Sequence, residues 1–141
     1  PLMAIRSTAD LSPAMRILYD KFADRCRRDP ELLKMGATAL LTCTYRSNEE
    51  QARLYAQGRT APGHTVTKAK PGKSRHNVTT PQGKPAAEAF DIVPLVDGKA
   101  VWDARHPAWA LIGAHGEAVG LQWFGSDDSP YYELPHFQVR T

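Results

Sequence analysis

The segment from Arg59 to Pro85 limits the possible folds of this chain most strongly, because no helical or strand periodicity survives within it. Its prolines and glycines are spread throughout: Pro62, Gly63, Pro71, Gly72, Pro81, Gly83 and Pro85. Proline lacks a backbone donor and glycine favours turns, so neither regular element can continue here. We therefore expect a long loop over residues 59–85. Loops of this length inside compact domains are usually functional or disordered.

The residues before this loop predict a helix, a strand and a second helix. Ser12 and Pro13 form a helix start, and one apolar face recurs from there as far as Cys26. The stretch "TALLTCT" predicts a buried strand. The second helix begins after Ser47, with Glu50 at the capping-box position, and is expected to end at Gly58.

The residues after the loop predict a hairpin, a helix and two short strands. Asp97-Gly98 is a favoured two-residue hairpin turn within "AEAFDIVPLVDGKAVW". A helix is expected from Pro107 to a stop at Gly120, followed by the strands "LQWF" and "HFQV". This order predicts an α+β fold with a small antiparallel sheet packed against helices. A length of 141 residues fits one domain over positions 1–141.

Composition excludes several classes of protein. The longest apolar stretch is far too short to cross a bilayer, so no membrane insertion is expected. The net charge of +3 suits either general solubility or attraction to a polyanion. No nucleic-acid partner is expected, because the most basic segment has no aromatic residue for base stacking. Cys26 and Cys43 form no CxxC pair and are expected to be reduced and inert. The three tryptophans are expected in the core: Trp102, Trp109 and Trp123.

Chemistry is first suggested by the C-terminal stretch "YYELPHFQVR". Pro135 excludes a helix there, so Glu133 lies on a turn that leads into a strand beginning at His136. Alternation in that strand places His136 and Gln138 on one face. In "AFDIVP", Asp91 is flanked by apolar residues, and a buried carboxylate needs a cation. The alternative is an aspartate that faces water at a frayed strand edge.

Combined with His76, these residues are the components of a catalytic zinc site. Such a site has three protein ligands, an open position for water and a carboxylate base that is not a ligand. A fixed cation for the developing oxyanion is also needed, and Arg46 is a candidate. Each histidine alone would more simply be structural, and Arg46 could instead pair with Glu49 or Glu50 on the surface.

Five stretches occur in the order found in one peptidase family: "YRSNEEQARLY", "GKSRHN", "AFDIVP", "WALIGAHGEAVGLQW" and "ELPHFQ". From about the buried strand to the C-terminus, the chain resembles the zinc peptidases that include VanY-type D-alanyl-D-alanine carboxypeptidases and phage L-alanyl-D-glutamate endopeptidases. The resemblance implies a hedgehog/D-Ala-D-Ala-peptidase-like fold with one Zn²⁺ per chain at the sheet. By matching position, it implies these roles: His76, Asp91 and His136 as zinc ligands, Glu133 as general base, Arg46 as oxyanion or substrate-carboxylate contact, and Ser74 as a substrate or supporting contact.

One departure from the family concerns spacing. The family has only a few residues between its first histidine and the aspartate, whereas "NVTTPQGKPAAEAF" separates His76 from Asp91. Closing a longer loop costs little additional entropy, so the assignment of His76 is kept. His64 is the alternative first ligand, while His106 and His115 are expected to be structural or to face solvent.

The resemblance implies a zinc metallopeptidase that cuts peptidoglycan stem peptides, foremost the L-alanyl-D-glutamate bond as in phage lysis. The alternatives are a D-alanyl-D-alanine carboxypeptidase or dipeptidase, and a non-catalytic wall-binding module on the same scaffold. We expect a monomer without a separate cell-wall-binding domain. No signal peptide opens the given chain. The expected location is therefore the host bacterial cytoplasm until lysis, with action on the cell wall.

Overall fold

The structure, a computed structural model, describes residues 5–126 and 132–140. These ranges contain helices and one antiparallel sheet, as expected for an α+β fold. The helices are α1 (Pro13–Arg28), α2 (Pro30–Lys34), α3 (Asn48–Ala56) and α4 (Pro107–Ala118), with 3₁₀ turns at Thr8–Asp10 and Arg75–Asn77. The strands are β1 (Ala37–Cys43), β2 (Ala89–Val96), β3 (Lys99–Ala100), β4 (Leu121–Trp123) and β5 (His136–Val139). The sheet order is β1-β2-β5-β4, and β3 pairs with β2.

The register of the sheet places three chemically distinctive residues side by side. Asp91 on β2 lies opposite Cys43 on β1 and opposite His136 on β5. Because side chains alternate along a strand, Phe137 then points to the opposite face of the sheet from His136. One face therefore carries the polar groups, and the other is available for packing.

The packed face is dominated by aromatic rings. Phe22 of α1 lies 5.2 Å from both Phe90 and Phe137, measured between ring centroids. Helix α4 approaches the same layer closely, since a Cβ on Gly116 would lie 2.4 Å from the Phe137 ring. Burying each large apolar side chain contributes roughly 1.5–3 kcal/mol. This layer fixes β5, and with it His136.

The helix starts and the hairpin agree with the sequence-based predictions. The Ser12 hydroxyl accepts a hydrogen bond from the backbone N–H of Met15 at the start of α1. Asp97 and Gly98 connect β2 to β3 with φ angles of 51° and 80°. Two positive φ angles are typical of the type I′ turn that matches strand twist.

Some predictions about these elements were wrong, and one short helix was missed. Strand β1 lies at the edge of the sheet rather than in its interior, and Leu40 is 36% exposed. The short helix α2 was not predicted, because its five residues are too few to display a periodicity. Helix α3 ends at Ala56, and the Glu50 side chain bonds Arg53 instead of completing a capping box. Trp102 is 59% exposed, although Trp109 and Trp123 are buried as expected.

The segment 59–85 is irregular apart from the turn at Arg75–Asn77, as expected. Within the described ranges, no helix has both the length and the apolar content needed to cross a membrane. Cys26 and Cys43 are buried free cysteines. Burial raises the pKa of their thiols to about 12 and about 11 respectively, so both are protonated at neutral pH.

Candidate metal centre

Side chains from three distant parts of the chain converge at the polar face of the sheet. Oδ1 of Asp91 lies 3.0 Å from Nε2 of His76 and 3.2 Å from Nδ1 of His136. The two ring nitrogens are 3.2 Å apart. Both histidines are buried, being 1% and 5% exposed. The loop residue His76 thus joins two residues that the sheet register already places together.

The position of His76 is fixed by the 3₁₀ turn that carries it. The Ser74 hydroxyl accepts from the backbone N–H of His76, and Ser74 and Asn77 form a reciprocal capping box. The carbonyl oxygen of His76 accepts from the backbone N–H of Arg46 at 2.9 Å. The turn is therefore attached to the chain that leaves β1, beside Asp91.

Hydrogen bonds on the far side of each ring determine which nitrogen is available to a metal. His76 Nδ1 lies 2.7 Å from the carbonyl oxygen of Thr44, which can only accept, so this nitrogen is protonated. His136 Nε2 lies 2.9 Å from Oε1 of Gln138 and donates to it. Ligating histidines in metalloproteins commonly donate their second ring N–H in this way. The remaining nitrogens both face Asp91.

The three inner atoms fit a tetrahedral divalent metal. Donor atoms held at about 2.0–2.1 Å from zinc lie about 3.3 Å from one another in tetrahedral geometry. The three separations between His76, Asp91 and His136 are close to that value. Two imidazole nitrogens and a carboxylate oxygen are also a donor set that zinc accepts in catalytic sites. We conclude that these residues could hold such an ion.

Protonation in the cluster is set by burial and by mutual contact. Burial lowers the pKa of His76, which is therefore neutral at pH 7. Burial works to raise the pKa of Asp91, but the adjoining imidazoles and their hydrogen bonds hold it well below its usual range. Burial works to lower the pKa of His136, yet the hydrogen bond to Asp91 and its charge raise it. Asp91 is thus ionised and attracts positive charge.

A second set of donors overlaps the first. Ligand atoms of Cys43, His76 and Asp91 all lie within 4.8 Å of one another. The Cys43 sulfur, however, is 3.8 Å from Nδ1 of His76, the nitrogen already bonded to Thr44. Its raised pKa keeps the thiol protonated, whereas metals bind the thiolate. The set that contains His136 is therefore the better candidate.

Glu133 lies beside this cluster on the turn before β5. The backbone N–H of His136 donates to the Glu133 carbonyl at 3.1 Å, which closes the predicted turn. Its carboxylate oxygen Oε2 is 3.8 Å from Nδ1 of His136, and the side chain is 28% exposed. Burial raises the pKa of Glu133, and the charge of Asp91 adds to this, while His136, Arg46 and Lys68 act in the opposite direction. A carboxylate with a raised pKa is suited to taking up a proton.

Arg46 lies on the other side of Asp91. Its guanidinium is 3.4 Å from Oδ2 of Asp91 and 3.0 Å from Oε1 of Gln51. The side chain is only 14% exposed. The surface pairing considered for Arg46 is replaced by this contact, and Glu50 is bonded by Arg53 instead. Arg46 therefore directs one carboxylate oxygen of Asp91 to itself and leaves the other to the histidines.

A cavity of about 540 Å³ opens over the cluster. Glu133, His136 and Gln138 line its sheet side. The loop 59–85 forms the other side, with Ser74 and several lysines. A substrate in this cavity would reach the carboxylate of Glu133 and, within the cluster, the imidazole of His136.

The remaining histidines lie outside the cluster. His64, the alternative ligand, is exposed on the loop. His106 caps α4, accepting from the backbone N–H of Ala108 at 3.1 Å, and His115 bonds Asp29. These contacts fit the structural interpretation of His106 and His115.

Three supporting residues were missed by sequence reasoning. Gln138 could have been identified, because strand alternation places it on the face of His136. Asn77 follows His76 and lies three residues after Ser74, a capping spacing that could have indicated it. Gln51 has no local signal, since its partners Thr67 and Ala69 are remote in sequence.

Comparison with known proteins finds similar peptidases both by sequence and by fold. No family model matches the sequence. The peptidoglycan L-alanyl-D-glutamate endopeptidase CwlK of Bacillus subtilis (strain 168) is 30% identical over 112 residues, which cover 74% of this chain. The chain spans 62% of the length of CwlK.

Two solved structures have the same fold. The L-Ala D-Glu endopeptidase ChiX of Serratia marcescens superposes with a TM-score of 0.59 at 16% identity, covering 98% of this chain and 89% of ChiX. The D,D-pentapeptidase VanY from a VanB-type vancomycin resistance cassette, a mutant in complex with Zn(II), superposes with a TM-score of 0.56 at 13% identity. This match covers 92% of the chain and 72% of VanY. In sequence the chain is thus similar to an L-alanyl-D-glutamate endopeptidase, and it has the fold of ChiX and VanY.

Proposed function

We propose that this protein is a zinc-dependent peptidase that hydrolyses stem peptides of peptidoglycan. The observation that carries the proposal is the convergence of His76, Asp91 and His136. Glu133 lies beside this cluster and, with His136, lines the cavity. In this proposal the first three residues hold one Zn²⁺ per chain. The sequence similarity to CwlK supports the substrate class.

Glu133 is proposed as the general base. His76, Asp91 and His136 would hold a zinc ion that acts as a Lewis acid toward the scissile carbonyl and lowers the pKa of a bound water. Glu133 then accepts the proton of the attacking water and passes it to the leaving nitrogen. The water oxygen bonds to the carbonyl carbon as the C–N bond breaks, leaving one carboxylate and one amine.

Arg46 and Ser74 are proposed to support this chemistry. The charge of Arg46 acts on both Asp91 and Glu133 and is the proposed cationic contact of the oxyanion or the substrate carboxylate. Ser74 holds the backbone of His76 and also lines the cavity, which fits a supporting role that includes substrate contact.

The L-alanyl-D-glutamate bond is the proposed site of cleavage. CwlK and ChiX both bear the name of that activity, whereas VanY is a D,D-pentapeptidase, so cleavage at D-alanyl-D-alanine is the second candidate. Digestion of purified muropeptides followed by mass spectrometry separates the two. A peptide fragment that begins with D-glutamate indicates cleavage of the first bond, and release of the terminal D-alanine indicates cleavage of the second.

Hydrolysis itself is tested with Glu133→Gln. We expect the variant to retain zinc while turnover falls by about 10²–10⁴-fold, the usual contribution of a general base. Glu31→Gln, at an exposed position on α2, is the matched control and should leave turnover unchanged. Unchanged turnover in Glu133→Gln would exclude its role as base, and a zinc-loaded wild type without activity would favour a non-catalytic wall-binding module.

The biological setting is a finer proposal. We infer that the enzyme acts on the bacterial cell wall in phage lysis and is held in the host cytoplasm until the membrane is breached. We also infer that it is a monomer. The phage endopeptidases that the sequence resembles support this setting. Expression in a host with and without a membrane-permeabilising protein tests it, because lysis should require both. Light scattering of the purified protein tests the monomer.

A further inference from the structure

The loop side of the cavity is positively charged. Lys68, Lys70 and Lys73 line it, and Glu133 is the only acidic residue among the described residues of the lining. Arg75 also lines the cavity, but its guanidinium is 2.8 Å from a carboxylate oxygen of Glu88, which offsets its charge. The structure gives Lys70 and Lys73 no carboxylate partner within residues 5–126 and 132–140. The cavity therefore carries excess positive charge directly beside the proposed reaction centre.

Lys68, Lys70 and Lys73 are called the lysine wall below. Its first part, which carries Lys68 and Lys70, is anchored by a buried side-chain amide. Gln51 of α3 is fully buried. Its Nε2 donates to the Ala69 carbonyl at 2.8 Å and to the Thr67 hydroxyl at 3.3 Å. The irregular backbone at Ala69 is thereby fixed, and Lys68 and Lys70 on either side of it are exposed.

The second part is anchored by another buried amide. Oδ1 of Asn77 accepts from the backbone N–H groups of Gly72 and Ser74, each at 3.2 Å, on either side of Lys73. Its Nδ2 donates to the Arg46 carbonyl at 2.7 Å. Gln51 bonds the Arg46 side chain as well. Both parts of the wall are thus tied to the same arginine that contacts Asp91.

We propose, resting on the hydrolase function proposed above, that the lysine wall binds a free α-carboxylate on the residue that leaves as the amine. That carboxylate is attached to the same carbon as the leaving nitrogen, so it must lie close to the scissile bond. D-Glutamate in a stem peptide is linked onward through its side chain, which leaves its α-carboxylate free unless it is amidated. The substrate class is therefore stem peptides with unamidated D-glutamate.

The proposal follows from charge and solvation. An ammonium group in a half-enclosed cavity interacts with a carboxylate more strongly than in open water. The neutral carboxamide of an amidated peptide has the same shape but lacks this attraction. Discrimination should appear mainly in KM, because the carboxylate is present before and during the reaction.

The experiment compares two synthetic peptides, L-Ala-γ-D-Glu-L-Lys and its α-amidated counterpart, with the zinc-loaded full chain. We expect kcat/KM to be roughly 10-fold or more higher for the free carboxylate. The preference should shrink as salt rises. It should fall to less than about 3-fold in the Lys70→Gln/Lys73→Gln double variant, since two attractions are lost. The control Lys84→Gln, an exposed loop lysine outside the cavity, should keep the full preference.

The possible results distinguish failure of carboxylate binding by the lysine wall from failure of the proposed hydrolase function. Equal rates on the two peptides, or a preference that survives the double variant, overturn the lysine wall as the discriminating element. If neither peptide is cut, peptides ending in D-Ala-D-Ala with a free or amidated terminus provide the same comparison at the second bond. If none is cut, the proposed hydrolase function fails. Calorimetric binding of the same pairs then decides the inference alone, and equal Kd values for the charged and amidated forms overturn it.

Discussion

The two sides of the cavity are held in place by different kinds of interaction. On the sheet side, Asp91 and His136 are adjacent because β2 and β5 pair in a fixed antiparallel register. On the loop side, the backbone is held mainly by two side-chain amides, those of Gln51 and Asn77. Backbone pairing is shared over many residues, whereas each amide acts alone. The positions of Asp91 and His136 should therefore tolerate substitutions that displace the loop, whereas His76 lies on the loop and should move with it.

This difference predicts unequal local stability. The packed aromatic layer beneath β5 links His136 to the global unfolding of the domain. The loop has few buried apolar contacts and depends on individual hydrogen bonds, which are each worth about 0.5–1.5 kcal/mol net. Local opening of the loop should thus precede global unfolding.

The largest effect is expected from breaking the sheet side at Asp91. In Asp91→Asn the shared carboxylate is lost, so we expect zinc to be removed by dialysis and hydrolysis to fall below detection. The partly buried Arg46 loses its ion-pair partner, which should lower the free energy of unfolding of the metal-free protein by about 3 kcal/mol, the lower end of the cost for a buried pair. Metal analysis and urea denaturation measure the two effects. Asp103→Asn, which removes an exposed pair with Arg105, should change neither.

A smaller effect is expected at Gln138, also on the sheet side. In Gln138→Ala, His136 loses the acceptor that orients its ring, so zinc affinity should fall by about 10–100-fold. Competition with a chelating dye measures this directly, without reference to activity. Gln122→Ala is the control, since Gln122 also lines the cavity but lies on β4. Equal losses in both variants would contradict the positioning role of Gln138.

On the loop side, Asn77→Ala tests the anchoring amide. We expect a loss of about 1–3 kcal/mol, because Gly72 and Ser74 lose their acceptor and the Arg46 carbonyl loses its donor. Proteolysis within residues 59–85 should accelerate more than global unfolding does. Asn48→Ala, at an exposed position of α3, is the control. A uniform acceleration at all cleavage sites would mean that loop and sheet are equally stable.

Sequence reasoning identified the sheet side better than the loop side for the same physical reason. Period-two alternation predicted that His136 and Phe137 face opposite ways, and the Asp97-Gly98 turn fixed the hairpin. Both signals are local. The exposure of β1 was missed, because a run of apolar residues does not reveal whether a strand lies at an edge.

Loop contacts were beyond local patterns. Gln51 bonds residues 16 and 18 positions away, and nothing in "SNEEQARLY" distinguishes it from a surface glutamine. The basic character of segment 59–85 was visible, but which lysines face the cavity depends on those bonds. Resemblance to the family supplied the residues of the candidate centre, which no spacing rule could have joined.

The smallest effect is expected at Cys43, where the sheet and loop sides meet. Its sulfur lies 3.7 Å from Arg46 and 3.8 Å from His76, so it could belong to the alternative donor set. If His136 completes the centre instead, Cys43→Ala should change zinc affinity by less than about 3-fold. Removing a residue that orients a metal ligand costs about 10–100-fold in affinity, and Cys43 would then have no such role. Cys26→Ala is the matched control for the loss of a buried thiol. A drop in zinc affinity comparable to that of His136→Ala would assign the third ligand to β1 rather than β5. The metal would then be held between the loop and the edge strand of the sheet.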